Sequence, residues 1–129
     1  MRHFVQYHNP DMMGRYRPSP KNYAIVTNKF FASLKGGTVW LVTSKGQRPR
    51  RYFLCSSFIV DNVERGNTGH FKNRATGSKG QDCEIEISNH PWFPELLKTT
   101  GNFALGLLPI SSKAIIQGFQ QTLSSRLAP

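Results

Sequence analysis

The sequence of 129 residues lacks the features that place a chain in a membrane or in the secretory pathway. No apolar run approaches the roughly 20 residues that a membrane-spanning helix needs, and residues 1–4 lack the apolar stretch of a signal peptide. The two cysteines, Cys55 and Cys83, show no metal-ligand spacing. We therefore expect a cytoplasmic protein of one domain, residues 1–129, with reduced thiols, no cofactor and no membrane partner.

Acidic residues are also scarce, since seven Asp and Glu face 17 Lys and Arg, which gives a formal net charge of +10. The imbalance is concentrated in residues 1–51, which hold ten basic residues and a single acid, Asp11. A basic half of this kind favours an anionic polymer as partner. A charge excess that only keeps the protein in solution stays an alternative.

Catalytic motifs are missing as well. The sequence has no Walker loop, no GxGxxG and no GxSxG. His8 and Asn9 match only part of an HNH nuclease signature, and the second His and the metal ligands of that signature are absent. Glu84 and Glu86 alternate along one strand face, which gives little support to a paired-carboxylate mechanism. The sequence therefore favours a binding protein over an enzyme.

Two adjacent strands give the clearest structural signal that the sequence does contain. Residues 38–44 and 50–60 are rich in β-branched and aromatic residues, and the short basic turn between them contains Gly and Pro. We expect an antiparallel hairpin, which is covered on both sides because both of its faces are apolar, as in a small closed barrel with helices outside. Alternation puts Leu54 and Phe58 on one face. The second strand is also long enough to bend or to carry a bulge near Ser56 and Ser57.

The other predicted elements are shorter. We predict further strands over residues 2–8, 23–27, 82–88 and 102–109. Helical turns are predicted over 29–35, a short helix over 91–97, and a final helix from Ser111 or Ser112 to about Leu123. The final helix should dock on the sheet through residues at helical spacing, namely Ile115, Ile116, Phe119 and Leu123.

Residues 61–81 have the composition of a flexible basic loop. Glycines recur at positions 66, 69, 77 and 80, and Lys72, Arg74 and Lys79 supply positive charge. Such a loop could become ordered on a nucleic acid, or it could be an insertion without a role. The sequence leaves both alternatives open.

Aromatic, cationic and amide side chains together suit the recognition of a base in a nucleic acid. Aromatic rings stack on flipped or single-stranded bases, amide and hydroxyl groups read their edges, and cations contact phosphates. The candidates for stacking are Tyr7, Tyr16, Tyr23, Trp40, Tyr52, Trp92 and Phe103. For most of these rings an ordinary place in the core is the competing interpretation.

A resemblance to a known family rests on three stretches of the chain. These are Tyr-Ala-Ile-Val-Thr-Asn at 23–28, Val-Trp-Leu-Val at 39–42 and Asn-Phe-Ala-Leu-Gly-Leu at 102–107. With the order of elements around them, they resemble the EVE, YTH and ASCH group of the PUA-like superfamily, most closely the EVE-like modules that accompany HNH nucleases in modification-dependent restriction systems. The resemblance implies an α+β fold, a small PUA-like mixed β-barrel of about five to six strands with two or three flanking helices. It also implies a modified base held in an aromatic-lined pocket.

The leading hypothesis is therefore a nucleic-acid-binding module that reads a base, expected to be modified, by base flipping. Its partner would be DNA or RNA, and a nuclease would be a separate subunit or domain. The predicted base pocket consists of Tyr7, Asn9, Tyr23, Thr27, Asn28 and Trp40. The predicted phosphate contacts are Arg15, Arg17, Lys29, Arg48, Arg50 and Arg51.

Two other functions stay open. The chain could be a small ASCH-like enzyme acting on RNA or a nucleotide, in which case Lys29 or Lys21 would have to point inward. It could also be a protein-interaction domain whose positive charge is incidental. The sequence alone does not decide between DNA and RNA, and it names no modification.

Overall fold

The structure is a computed structural model that describes residues 2–8, 23–29, 31–46, 49–68, 71–104 and 106–127, without the side chains of residues 66–72, 126 and 127. Eight strands lie within these ranges: β1 His3–His8, β2 Tyr23–Thr27, β3 Thr38–Lys45, β4 Arg51–Ile59, β5 Asn62–Thr68, β6 Phe71–Gly77, β7 Lys79–Glu86 and β8 Leu108–Ile110. Two helices accompany them: α1 Phe93–Thr99 and α2 Lys113–Leu127. The predicted strands that became β1 to β4 are confirmed within about a residue or two.

The strands form two sheets. The larger sheet has the order β7-β4-β3-β1-β8, and the smaller one has the order β2-β6-β5. β3 and β4 form the predicted antiparallel hairpin. β1 lies parallel to β3, with His3 opposite Thr38 and His8 opposite Thr43. The carboxyl ends of β1 and β3 therefore lie at the same end of the sheet.

The larger sheet is covered on both faces, as the apolar faces of its central strands predict. One face packs against the smaller sheet through buried side chains that include Phe4, Leu41 and Phe58. The opposite face packs against the helices through Trp40 and Phe119, among others. Each large apolar side chain that is fully buried contributes about 1.5–3 kcal/mol. The two layers thus fix the central strands from both sides.

The predicted α+β class is confirmed, and the predicted barrel is not found among the described residues. β7 and β8 are the edges of the larger sheet, β2 and β5 are those of the smaller, and no strand pairing joins the two sheets in the described part of the chain. The described residues contain eight strands rather than five or six, whereas the two helices agree with the expectation. The PUA-like barrel stays a prediction.

The strand β4 carries the predicted bulge, one residue earlier than expected. Leu41 pairs with Ser56 and Val42 pairs with Leu54, so Cys55 is the extra residue. The bulge reverses the alternation, and Phe58 joins the layer between the sheets while Leu54 faces the helices. The prediction that these two residues share a face was therefore wrong. Cys55 is buried as expected, and burial raises the pKa of its thiol to about 12.

The prediction of a flexible loop over residues 61–81 was wrong. The range contains β5 and β6 and the start of β7. Two of its glycines permit close contact between strands: a Cβ at Gly80 would lie 2.6 Å from the Cβ of Phe58, and a Cβ at Gly77 would overlap the carbonyl of Ile59. Glycine in a strand often marks such a close approach, and the composition alone did not distinguish it from a loop.

Two shorter predictions were also wrong. Residues 31–36 form turns in place of the expected helical turns, and Gly36 ends this stretch with φ at +86°. The strand predicted over 102–109 is reduced to β8, because residues 101–104 form turns in which residues 101–103 have positive φ. The final helix is confirmed: Ser112 accepts the Ile115 N–H at 3.4 Å as its cap, and the predicted apolar residues dock on the sheet.

Neither a membrane-crossing helix nor a metal cluster is found in the described ranges. α2 is the longest helix there, and no helix is both long and apolar enough to span a bilayer. Among the same residues, no group of three or more His, Cys, Asp and Glu side chains could hold a metal ion. These ranges thus show no ligands for a metal cofactor.

Candidate functional site

The carboxyl end of β1 gathers several of the predicted site residues. Tyr7 faces the helix side of the larger sheet, and its hydroxyl is hydrogen-bonded to the Ser44 hydroxyl at the end of β3. The guanidinium of Arg50 donates to the same Tyr7 oxygen at 3.5 Å. Phe103 stacks on Tyr7 with ring centroids 5.1 Å apart. We call this end of the sheet, where β1 and β3 finish and the basic turn between β3 and β4 begins, the basic end.

The aromatic part of the basic end has a constrained backbone. Phe103 also contacts Tyr52, with ring centroids 5.4 Å apart. Asn102 and Phe103 have φ values of 57° and 64°, which side chains with a Cβ rarely adopt. Residues held in such conformations are frequent at binding sites, where the surrounding structure must stabilise them. Here, the Thr100 hydroxyl accepts the Phe103 N–H at 3.2 Å.

A polar cluster lies on the other face of β1, next to Tyr7. The Thr27 hydroxyl accepts the backbone N–H of Lys29 at 3.1 Å, and the Asn73 amide donates to the Lys29 carbonyl at 3.2 Å. The Lys29 ammonium reaches the Leu107 carbonyl at 3.2 Å. These contacts hold β2, β6 and the segment before β8 together. Thr27 and Asn73 are buried, Lys29 is half-buried, and the neighbouring Asn28 is exposed.

One buried acceptor of this cluster lacks a partner among the described residues. The Gln6 amide donates to the Val26 carbonyl at 3.2 Å, but its Oε1 is buried and accepts no hydrogen bond there. Buried polar atoms are nearly always paired, and exceptions call for a water molecule, a ligand or a functional reason. Gln6 Oε1 therefore has room for one more donor, which has to reach it inside the protein because the atom is buried.

Arg51 and Arg50, two of the predicted phosphate contacts, have different partners within the protein. Arg51 makes two hydrogen bonds to Glu86, at 2.7 and 3.2 Å, and Lys45 pairs with Glu84. Hydrogen bonding from Arg51 and Ser88 lowers the pKa of Glu86 to about 2. A phosphate at Arg51 must compete with this carboxylate. Arg50 contacts the Tyr7 hydroxyl and so lies beside the aromatic rings of the basic end.

Two predicted pocket residues lie elsewhere. Trp40 is only 3% exposed, donates to His3 Nδ1 at 2.9 Å and stacks on Phe119 at 5.1 Å, so that its ring has no open face for a base. Tyr23 stacks on Phe58, opposite Gly77 and therefore at the other end of β2 from Thr27. The structure does not bring either ring to Tyr7. The predicted residues Asn9, Arg15, Arg17 and Arg48 lie outside the described residues.

The basic end therefore holds Tyr7, Thr27, Asn28, Lys29 and Arg50 from the predicted set, together with residues that the prediction left out. Gln6 could have been found, because alternation places this amide on the same face as the apolar Phe4. Asn73 gave no signal, since its range had the composition of a loop. Searches of protein-family models, curated proteins and solved structures found no match to this chain.

Proposed function

We propose that the chain is a nucleic-acid-binding module that takes one base at the basic end. The observation that carries the proposal is the convergence around β1 of five residues that sequence reasoning selected independently of their positions in the fold: Tyr7, Thr27, Asn28, Lys29 and Arg50. Aromatic rings, amide groups and cations near one end of a strand, here on its two faces, supply the groups that base stacking, edge reading and phosphate contact require.

Charge supports the same proposal. The formal net charge is +10, and from His8 the chain continues into residues 9–22, which carry Arg15, Arg17 and Lys21 against one acid. Since β1 and β3 are parallel, this segment begins at the edge where the turn with Lys45 and Arg50 also begins. A polyanion that approaches this end of the sheet meets the described cations of the turn.

The modified base and the restriction context rest on the resemblance to the EVE-like modules alone. In this proposal Asn28 and the Gln6–Thr27 cluster read the edge of the base, and the Tyr7–Phe103 pair, which lies on the other face of β1, stacks on a neighbouring base. The nuclease activity of such a system would belong to another subunit or domain. Either DNA or RNA would satisfy the chemistry of the site.

Salt-dependent binding tests the phosphate contacts. We expect Arg50→Ala to weaken binding to all sequences roughly fivefold and to lower the slope of log affinity against log salt by about one, because one phosphate contact is lost. Arg2→Ala is the matched control at the opposite end of β1, and it should leave both values nearly unchanged. Equal losses in the two variants would contradict a localised interface.

A panel of duplex and single-stranded DNA and RNA, with plain, methylated and hydroxymethylated bases, tests the reading of the base. We expect Asn28→Ala to reduce the preference between modified and plain base, because an edge contact is lost, while overall affinity changes less. Asn28 is exposed, so the fold tolerates the change. A variant that loses affinity for every probe equally would assign Asn28 to backbone contact.

One observation favours the enzymatic alternative enough to test it. The half-buried Lys29 side chain donates to the Leu107 carbonyl at 3.2 Å, and the side chains of Thr27 and Asn73 hydrogen-bond to the Lys29 backbone. Incubation with RNA and with nucleosides, followed by chromatography, distinguishes the two functions. Product formation that Lys29→Met abolishes would replace the binding function by catalysis.

A further inference from the structure

A second site opens at the amino end of β1, at the opposite end of the sheet. A cleft of about 550 Å³ lies between the start of β1, the end of β4, the start of β7 and the helix α2. His3 is five residues from His8, which places this cleft roughly 16 Å from the basic end along β1. Its volume lies within the range of small-molecule sites.

The cleft contains an imidazole in a fixed tautomer. Trp40 Nε1 always donates, so His3 Nδ1 must be the acceptor at 2.9 Å, and the proton lies on Nε2. His3 is 6% exposed and lines the cleft, and Nε2 makes no hydrogen bond to the other described residues. Burial lowers the pKa of His3, which keeps the ring neutral. The cleft therefore presents one oriented N–H donor on a rigid Trp40–Phe119 stack.

Two other polar side chains of the cleft also have hydrogen-bonding atoms without partners among the described residues. Gln81 of β7 and Gln120 of α2 are exposed, and their carboxamides form no side-chain hydrogen bonds to the described residues. These carboxamides offer donors and acceptors side by side, as the edges of a base do. Ile59 and Leu123 supply apolar contacts for the faces of the base.

Among the described residues, Lys79 is the one charged side chain that lines the cleft. Asp61 accepts hydrogen bonds from the Ser78 backbone N–H and hydroxyl, and these bonds, together with the charges of Lys79 and Lys35, lower the pKa of its carboxyl. The corner thus keeps one net positive charge from these three groups, which suits a single phosphate.

We propose that this cleft binds a nucleoside monophosphate, as a free nucleotide or as the terminal nucleotide of a strand. The base lies between Gln81 and Gln120, one of its acceptor atoms receives a hydrogen bond from the Nε2–H of His3, and the phosphate lies at Lys79. The proposal does not rest on the function assigned to the basic end.

The indole signals of the full chain in a ¹⁵N-labelled sample report on the site directly. The chain has two tryptophans, Trp40 and Trp92, and Trp92→Phe assigns the two N–H signals. Trp40 donates to His3, whereas Trp92 packs against Gly118 outside the cleft. We expect titration with the four nucleoside 5′-monophosphates to shift the Trp40 signal to saturation and to leave the Trp92 signal in place.

Exposed residues provide variants that leave the fold intact. We expect Gln120→Ala to weaken nucleotide binding about fivefold and Lys79→Gln to weaken it about tenfold. The matched controls Gln117→Ala and Lys98→Gln should change it less than about twofold. The basic-end variant Arg50→Ala should not affect the Trp40 shift, so that failure of the cleft and failure of the basic end are distinguishable.

The probes separate the two sources of the ligand and define failure. Saturation by free nucleotides supports a free ligand, and saturation only by short oligonucleotides with a terminal phosphate supports a strand end. Inorganic phosphate that shifts the signal as much as the nucleotides do would overturn the base contact. The proposal is wrong if no probe shifts the Trp40 signal, or if Gln120→Ala and Gln117→Ala bind equally well.

Discussion

The two ends of β1 use polar side chains in different ways. At the basic end, cations and carboxylates are matched within the protein, as in the pairs Arg51–Glu86 and Lys45–Glu84. At the cleft, there is little charge, yet His3, Gln81 and Gln120 keep donors and acceptors without partners among the described residues. The difference teaches that net charge indicates where a polyanion is drawn, whereas the supply of unmatched hydrogen-bonding groups indicates where a small ligand is held.

The largest expected effect comes from the aromatic support of the cleft. Phe119 is fully buried and stacks on Trp40, so we expect Phe119→Ala to lower the free energy of unfolding by about 3–5 kcal/mol. Phe103 at the basic end is half-buried and strained, so Phe103→Ala should lower it by about 2 kcal/mol or less. Urea unfolding followed by circular dichroism measures both. Similar losses of unfolding free energy in the two variants would contradict the expectation that aromatic packing stabilises the fold more at the cleft than at the basic end.

A smaller effect on stability is expected from the titration of His3, which lies at the cleft and not at the basic end. Burial lowers the pKa of His3 from its ordinary value of 6.5, so the unfolded chain binds the proton more readily than the folded one. The stability from neutral His3 is therefore fully present above pH 6.5 and is lost as the pH falls below it towards the lowered pKa. We expect His3→Gln, which still offers Trp40 an acceptor, to flatten this part of the profile.

Urea unfolding of the wild type and His3→Gln at pH 8, 6.5 and 5.5 measures the difference. The other histidines are common to both proteins, and their titration cancels in the comparison. Parallel profiles would show that His3 titrates alike in the folded and unfolded chains.

The smallest effect on stability is expected at the basic end. Arg51→Ala removes the main cause of the low pKa of Glu86, which should rise from about 2 towards its ordinary 4.5. The melting temperature should change little, because the pair is exposed. A carbon-detected NMR titration of the Glu86 carboxyl group measures the pKa, with Glu64 as an internal reference. A pKa that stays near 2 would assign the effect to Ser88.

Much of the framework could be predicted from the sequence, because it depends on local patterns. The strands β1 to β4 and the helix α2 follow from alternation and from helical spacing, and Ser112 follows from its capping chemistry. The range 61–81 could not be predicted, because Gly77 and Gly80 serve contacts with β4 that only the tertiary fold creates. The reversal of the two faces of β4 could not be predicted either, because it depends on the bulge at Cys55.

The candidate sites were less predictable than the strands. Tyr7 and Arg50 were selected by residue type, and their contact depends on a turn and a strand that lie 43 residues apart. Trp40 was selected for the same reason, but its hydrogen bond to His3 and its stacking on Phe119 place it in the core. Residue type thus identified chemistry that suits a base, and only the register of β1 against β3 decided which rings could share a surface.

The position of β1 between β3 and β8 has a consequence for folding during synthesis. The hairpin of β3 and β4 can form from neighbouring residues, but β1 gains its second partner only when residues 108–110 have left the ribosome. Until then one edge of β1, with its row of backbone amides and carbonyls, stays open to other chains. That edge can therefore pair with another chain throughout the interval between the synthesis of β3 and the emergence of residues 108–110.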